Sequence, residues 1–195
     1  MKKRSEYHNL ALFCLTLLIS LLTPRLAFAQ STADGWLPFG DATAPQPPTL
    51  ALRSANAAQI DLVASLPGVK TETRIVEGET YTSLSGGSYG YSTDFGLPNI
   101  PILRQRIEVP FGAQVSLEIL DVDYEDVALA DLGLHPIYPT QPEVVKLPGA
   151  EEPFVIDRDF YTNGGRYPTS PVALGEIYIV RGHRVQPIDI AAVAF

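Results

Sequence analysis

The sequence predicts an all-β chain, an antiparallel sandwich or barrel, and three observations carry that expectation. Short runs of alternating polar and β-branched residues recur from Gln59 onward. Each stops at a Pro- or Gly-containing turn signal, and no stretch keeps a convincing 3.6-residue apolar period. In order, Asp34 to Pro48 (DGWLPFGDATAPQPP) has no periodicity and reads as an extended linker or a loosely held arm, with residues 51–60 a short helix at most. Strands are expected at Gln59–Leu66, which stops at Pro67-Gly68, at Val69–Val76, which stops at Glu77-Gly78, and at Thr80–Leu84 before Ser85-Gly86-Gly87. Gly86 and Gly87 are expected in a loop that needs positive φ. Ile100–Val109 ends at Pro110-Phe111-Gly112, and Ala113–Val122 (AQVSLEILDV) has the best strand pattern of all. Glu176–Val180 and Arg184–Ile190 flank Gly182-His183 as a hairpin. Seventeen prolines place many residues at edges and in loops.

The first 29 residues read as a secretory signal peptide. Lys2, Lys3 and Arg4 precede a 13-residue apolar run from Leu10 to Leu22, and Ala27-Phe28-Ala29 sets small residues before a cut between Ala29 and Gln30. The run is shorter than the ~20 apolar residues that cross a bilayer. The rest of the chain is therefore expected to act outside the cell or at its surface, with no membrane attachment after signal removal. The chain divides into the signal (1–29), a Pro/Gly-rich arm (30–53) and one β domain (54–195). From Gln30 on there are ten basic and 21 acidic residues, a net charge of −11. Nucleic acid and anionic lipid would repel such a surface. Cys14, the one cysteine, sits in the signal, so the mature chain carries no disulfide, thiol nucleophile or Cys-based metal site. The apolar end Ala191–Phe195, without a capping turn or charge, suggests a fragment whose last strand is completed by further chain.

Catalytic patterns are missing. His8 lies in the signal, His135 precedes Pro136 and His183 sits in a turn, with no HExxH spacing to link them. Gly86-Gly87-Ser88-Tyr89-Gly90 does not open a helix after a strand and is no phosphate cradle. Asp121, Asp123 and Glu125 would share one strand face and are the only candidates for Ca²⁺, but the EF-hand pattern is absent and a solvated strand edge accounts for them. No cofactor is expected. Tyr81, Tyr89, Tyr91 and Phe95 are candidates for an aromatic platform, which a stand-alone exported sandwich for adhesion or carbohydrate binding would need.

Gly96-Leu97-Pro98-Asn99-Ile100-Pro101 runs into an apolar strand, followed by Val109-Pro110, by Leu134-His135-Pro136-Ile137, and by Phe160-Tyr161 with Pro168 before Gly175-Glu176. This order resembles the N-terminal propeptide of gingipain-type cysteine peptidases, secreted bacterial enzymes specific for Arg or Lys. GLPNIPIL looks like that family's G-x-P-x-L-P-I-L block, and FYTNGGRYPTSPVALGE like its block of two aromatics, a Pro and Gly-Glu. The likeness runs from about Ser54 to Phe195. It implies an all-β, jelly-roll-like antiparallel sandwich, non-catalytic itself, that helps a following cysteine peptidase domain fold and blocks its cleft in cis. Gly96, Pro98, Pro101, Pro136, Gly175 and Glu176 would be structural anchors. The blocking loop would be Tyr138–Pro153, whose only basic residue, Lys146, is the candidate blocking group. The long arm before Ser54 and the absence of a peptidase domain from this chain depart from the family pattern. Propeptide and stand-alone binding module both remain open on the sequence.

Overall fold

The computed structural model describes residues 35–56, 58–143 and 153–195. The signal with its Ala29–Gln30 cut, Cys14 and Lys146 lie outside the described residues. The ten strands are β1 (Trp36–Pro38), β2 (Thr49–Ala55), β3 (Ile60–Ser65), β4 (Gly68–Val76), β5 (Glu79–Ser85), β6 (Gly90–Tyr91), β7 (Pro101–Glu108), β8 (Val172–Leu174), β9 (Tyr178–Val180) and β10 (His183–Ala191). Among the described residues one short helix, α1 (Arg158–Asn163), lies between β7 and β8. All the strand pairs are antiparallel, as expected. They form a three-stranded sheet β1-β4-β5, a five-stranded sheet in which β10 sits between β7 and the β8 and β9 edge, and the hairpin β2-β3.

Two apolar clusters fill the space between these layers. Leu37, Val69, Leu84 and Ile137 form one, covered by Leu129, Leu132, Leu134 and the terminal Ala192, Val193 and Phe195. Leu103, Ile188 and Ile190 form the other, covered by Leu50, Leu62 and Leu66 of the hairpin layer. Tyr89 packs against both. Along β10 every second residue is buried (Gln186, Ile188, Ile190), the period that a sheet with one covered face imposes. The two tight hairpins turn at Glu77-Gly78 and Arg181-Gly182, where all four residues have positive φ, the backbone twist that two-residue hairpin loops require.

Several expectations change. Residues 51–55 are strand, not helix: β2 pairs with β3 through a bulge at Arg53, and the Asn56 side chain accepts from the amides of Ala58 (2.8 Å) and Gln59 (2.9 Å) to make the turn. The arm is not free of the fold, since β1 pairs with β4 and buries Trp36 and Leu37. Neither Gly86 nor Gly87 has positive φ; a Cβ at Gly86 would collide with the Tyr89 ring. The terminal Ala192, Val193 and Phe195 are packed, and Phe195 exchanges both backbone hydrogen bonds with Tyr167 (2.5 and 2.7 Å).

The largest correction is Ala113–Val122. It joins no ladder, and Leu117, Ile119, Leu120 and Val122 are exposed. The pattern explains why. Val115, Leu117 and Ile119 alternate on one side, then Leu120, Val122 and Tyr124 on the other, so no single face can be buried over the full run. Leu120→Lys should therefore leave the melting temperature nearly unchanged, whereas Ile188→Ala should cost about 2–5 kcal/mol. Thermal or urea unfolding of both variants checks this; a large loss from Leu120→Lys would mean that the run is packed.

Candidate functional site: the neck of the 142–154 loop

Gln141 and Val155 lie side by side, and three layers of contacts hold the chain together at that place. The lowest is built on β5. The Thr82 amide donates to Pro136 O (2.9 Å) and the Tyr138 amide to Thr82 O (2.8 Å), a short parallel bridge centred on Ile137. The Tyr138 and Phe154 rings, one on each side of the loop, lie 5.8 Å apart, and both pack against Tyr81. The Arg74 guanidinium sits 4.7 Å from the Tyr138 ring centre, a favourable cation–π position.

The middle layer is the Gly96–Pro101 block. The Gly96 amide donates to Thr140 O (2.9 Å), the Thr140 amide to Leu97 O (2.8 Å) and the Asn99 amide to Tyr138 O (2.9 Å). From the far side of the loop, the Asp157 amide donates to Gly96 O (3.0 Å). Gly96 thus ties both loop ends to one residue. It has φ +84, and a Cβ would come within 2.9 Å of Asp157 N, so only glycine fits without strain. Ser92 supports this turn, its hydroxyl donating to Pro98 O and accepting from the Ile100 amide (both 3.0 Å). Pro98, Pro101 and Pro139 are fully buried. The top layer is Gln141, whose side-chain amide meets both backbone groups of Val155.

α1 follows directly. The Asp157 carboxylate caps it by accepting from the Phe160 amide (3.0 Å), and the Tyr161 hydroxyl returns to donate to Ile137 O (2.5 Å). A cavity of about 330 Å³ opens beside the neck, lined by Glu79, Tyr81, Pro136, Ile156, Arg158 and Tyr161. Burial, aided by the hydrogen bond to Glu79, pushes the Tyr81 phenol up to about 12, and burial also raises Tyr161. Both stay protonated at neutral pH, so neither is a base.

Of the residues singled out in the sequence, Gly96, Pro98, Pro101 and Pro136 converge on this neck. Gly175 does not. It lies between β8 and β9, where a Cβ would meet the Pro187 ring at 3.0 Å, and its amide donates to Pro187 O (3.1 Å). Glu176 is exposed beside it. Asp121, Asp123 and Glu125 are exposed, and no group of three His, Cys, Asp or Glu among the described residues is placed to hold a metal ion. His183 pairs with Glu108 at the surface (2.8 Å), and His135 is exposed. The aromatic platform is not assembled: Tyr81 is buried, Tyr89 joins the two cores, and only Tyr91 and Phe95 are exposed. Gln141 went unnoticed in the sequence, because a lone glutamine in a proline-rich stretch carries no pattern.

Gly96→Ala should destabilise the domain by about 1–3 kcal/mol, measured by denaturant unfolding; an unchanged midpoint would mean the neck relaxes freely. Raised phenol values also set an alkaline limit. Stability from the protonated Tyr81 and Tyr161 is complete below the free phenol range near ~10 and is lost as pH climbs through about 12 for Tyr81. Absorbance titration at 295 nm should show Tyr81→Phe deleting a transition at the high end; loss of one near pH ~10 would contradict the burial argument.

No family model and no curated protein matches this sequence. Two solved structures do match the fold. A chain from the structure that addresses the zymogenic latency of gingipain K from Porphyromonas gingivalis superposes with a TM-score of 0.66 at 22% identity, over 80% of this chain and 84% of that one. A chain from the complex of the Porphyromonas gingivalis RgpB pro- and mature domains gives 0.60 at 16%, over 77% and 76%. The fold of this chain is that of the gingipain pro-domains.

Proposed function

We propose that this chain is the non-catalytic propeptide of a secreted gingipain-type cysteine peptidase precursor, acting in cis as folding aid and cleft-blocking inhibitor. The likeness of fold to gingipain pro-domains over some four fifths of the chain carries this reading. The signal-like N-terminus is consistent with export of a precursor. The neck supplies what a blocking loop needs, two ends held together on a rigid base, because a loop ordered before binding loses less entropy on entering a cleft. Lys146 is the only basic residue in Tyr138–Pro153. Val144 and Val145 before it are β-branched residues of high strand propensity, and a proline after Leu147 disfavours helical backbone there. In this reading the Lys146 ammonium enters an acidic specificity pocket of the peptidase, and the sandwich surface supplies the remaining contact.

The test is to titrate the peptidase domain of the same precursor with the wild-type chain and with Lys146→Ala. The wild type should inhibit at stoichiometric concentration. The variant should lose about 2–5 kcal/mol of binding, because the pocket acid is left desolvated and unpaired. An unchanged inhibition constant would retire Lys146 as the blocking group; no inhibition by the wild type would overturn the propeptide reading.

A further inference from the structure

Between Ala113 and Ala128 the chain runs without a turn or bend. It is held at both ends. The Val109 amide donates to Arg184 O (2.9 Å) and the Arg184 guanidinium to Pro110 O (2.7 Å), while Leu129 and Leu132 pack on the Leu37 cluster. Between those anchors no backbone group of residues 114–127 pairs with another described residue. The nearest bonds are from the Ala113 amide to Pro110 O (3.2 Å) and from the Asp131 amide to Ala128 O (3.0 Å). Leu120 is 68% exposed and Tyr124 69%. Val115, Leu117, Ile119, Leu120, Val122 and Tyr124 are residues that suit a pleated strand, so among the described residues this is a strand with no neighbour. Such an edge recruits another chain unless something prevents it.

Charge decides which chain. Glu118, Asp121, Asp123, Glu125 and Asp126 fall in the same run, and no Lys or Arg lies between Arg106 and Gln141. Two copies paired through this run would set carboxylate against carboxylate, whether parallel in register or antiparallel about Val122, and like charges directly opposite are destabilising. A strand carrying Lys or Arg beside Asp121, Asp123 and Glu125, with an apolar layer for Leu120, Val122 and Tyr124 on the opposite face, satisfies both faces. We infer that residues 114–127 are the docking strand of this domain: they add to an exposed, basic sheet edge on the peptidase domain of the same precursor. The inference rests on the propeptide reading and deepens it, naming the surface used and the chemistry it meets. Backbone pairing supplies affinity, and the acidic row selects the partner while keeping free copies apart.

Hydrogen exchange of the mature chain, alone and saturated with the separately produced peptidase domain, tests this. Alone, the amides of residues 114–127 should exchange at close to the unfolded rate. In the complex about half should be protected, at every second residue, because a strand added to one edge turns alternate amides toward its neighbour. Asp121→Lys combined with Asp123→Lys should weaken binding about tenfold or more at low salt, with the gap closing as salt rises. The melting temperature of the free variant should stay within a few degrees of wild type. If the complex forms while these amides exchange freely, or if the charge reversal binds as tightly as wild type, the docking strand falls and the propeptide reading stands. If the free chain already protects them and sediments as a dimer, the occupant is a second copy and the inference falls. Failure of the wild-type chain to bind the peptidase domain overturns the reading and the inference with it. Should the charge reversal fail to fold, Asp121→Asn with Asp123→Asn replaces it, with a smaller effect of the same sign.

Discussion

Gly96 is where the molecule is tied together. Its amide and carbonyl bind Thr140 on one side of the loop and Asp157 on the other, and the strand that leads into the five-stranded sheet starts five residues later. Without a side chain the two crossing segments approach within hydrogen-bond reach; with one they could not. The prolines around it (Pro98, Pro101, Pro139) are buried and donate nothing, so the few backbone amides in this region, with the Ser92 and Gln141 side chains, carry the pairing. Sheet, loop neck and α1 thus share one anchor. A displacement there would reach the packed Tyr81–Tyr138–Phe154 group and the cap of α1 together.

Beyond these hydrogen bonds, stability comes chiefly from apolar burial, since Cys14 is the one cysteine in the sequence and a single cysteine forms no disulfide within a chain. Two clusters bridged by Tyr89 supply it, each under one sheet. Surface charge pairs contribute little by comparison. His183–Glu108 is exposed, and Arg104–Asp189, although bidentate, is partly open to solvent. A fold held this way keeps its loops cheap to vary.

What was legible in the sequence follows the local physics. Alternation and turn residues such as Glu77-Gly78 mark strands β3, β4, β5, β7 and β10 in neighbouring residues, although the last hairpin turns at Arg181-Gly182, one residue before the expected Gly182-His183, and His183 opens β10. The fold class is legible for the same reason, whereas Gly96, Pro98 and Pro101 stand out through the resemblance to a known family block. Ala113–Val122 was misread because strand propensity says nothing about whether a partner edge exists, and the switch of apolar face at Leu120 is visible only when the whole run is considered. β1 and β2 were missed because Trp36–Pro38 is too short to show a period and because Asn56 makes its turn through a side chain. Gln141 could not have been found, since its partner Val155 is fourteen residues away and the bond depends on the neck already being closed.

The central claim is that this domain masks the cleft of a cysteine peptidase. The most direct measurement is the rate at which iodoacetamide alkylates the thiol of the peptidase domain, with and without the separately produced mature chain. A blocked cleft should slow alkylation in proportion to the fraction of peptidase bound, reaching a low plateau at one chain per peptidase. Alkylation at the free rate while the two proteins co-elute as a complex would show that the domain binds elsewhere and does not cover the cleft.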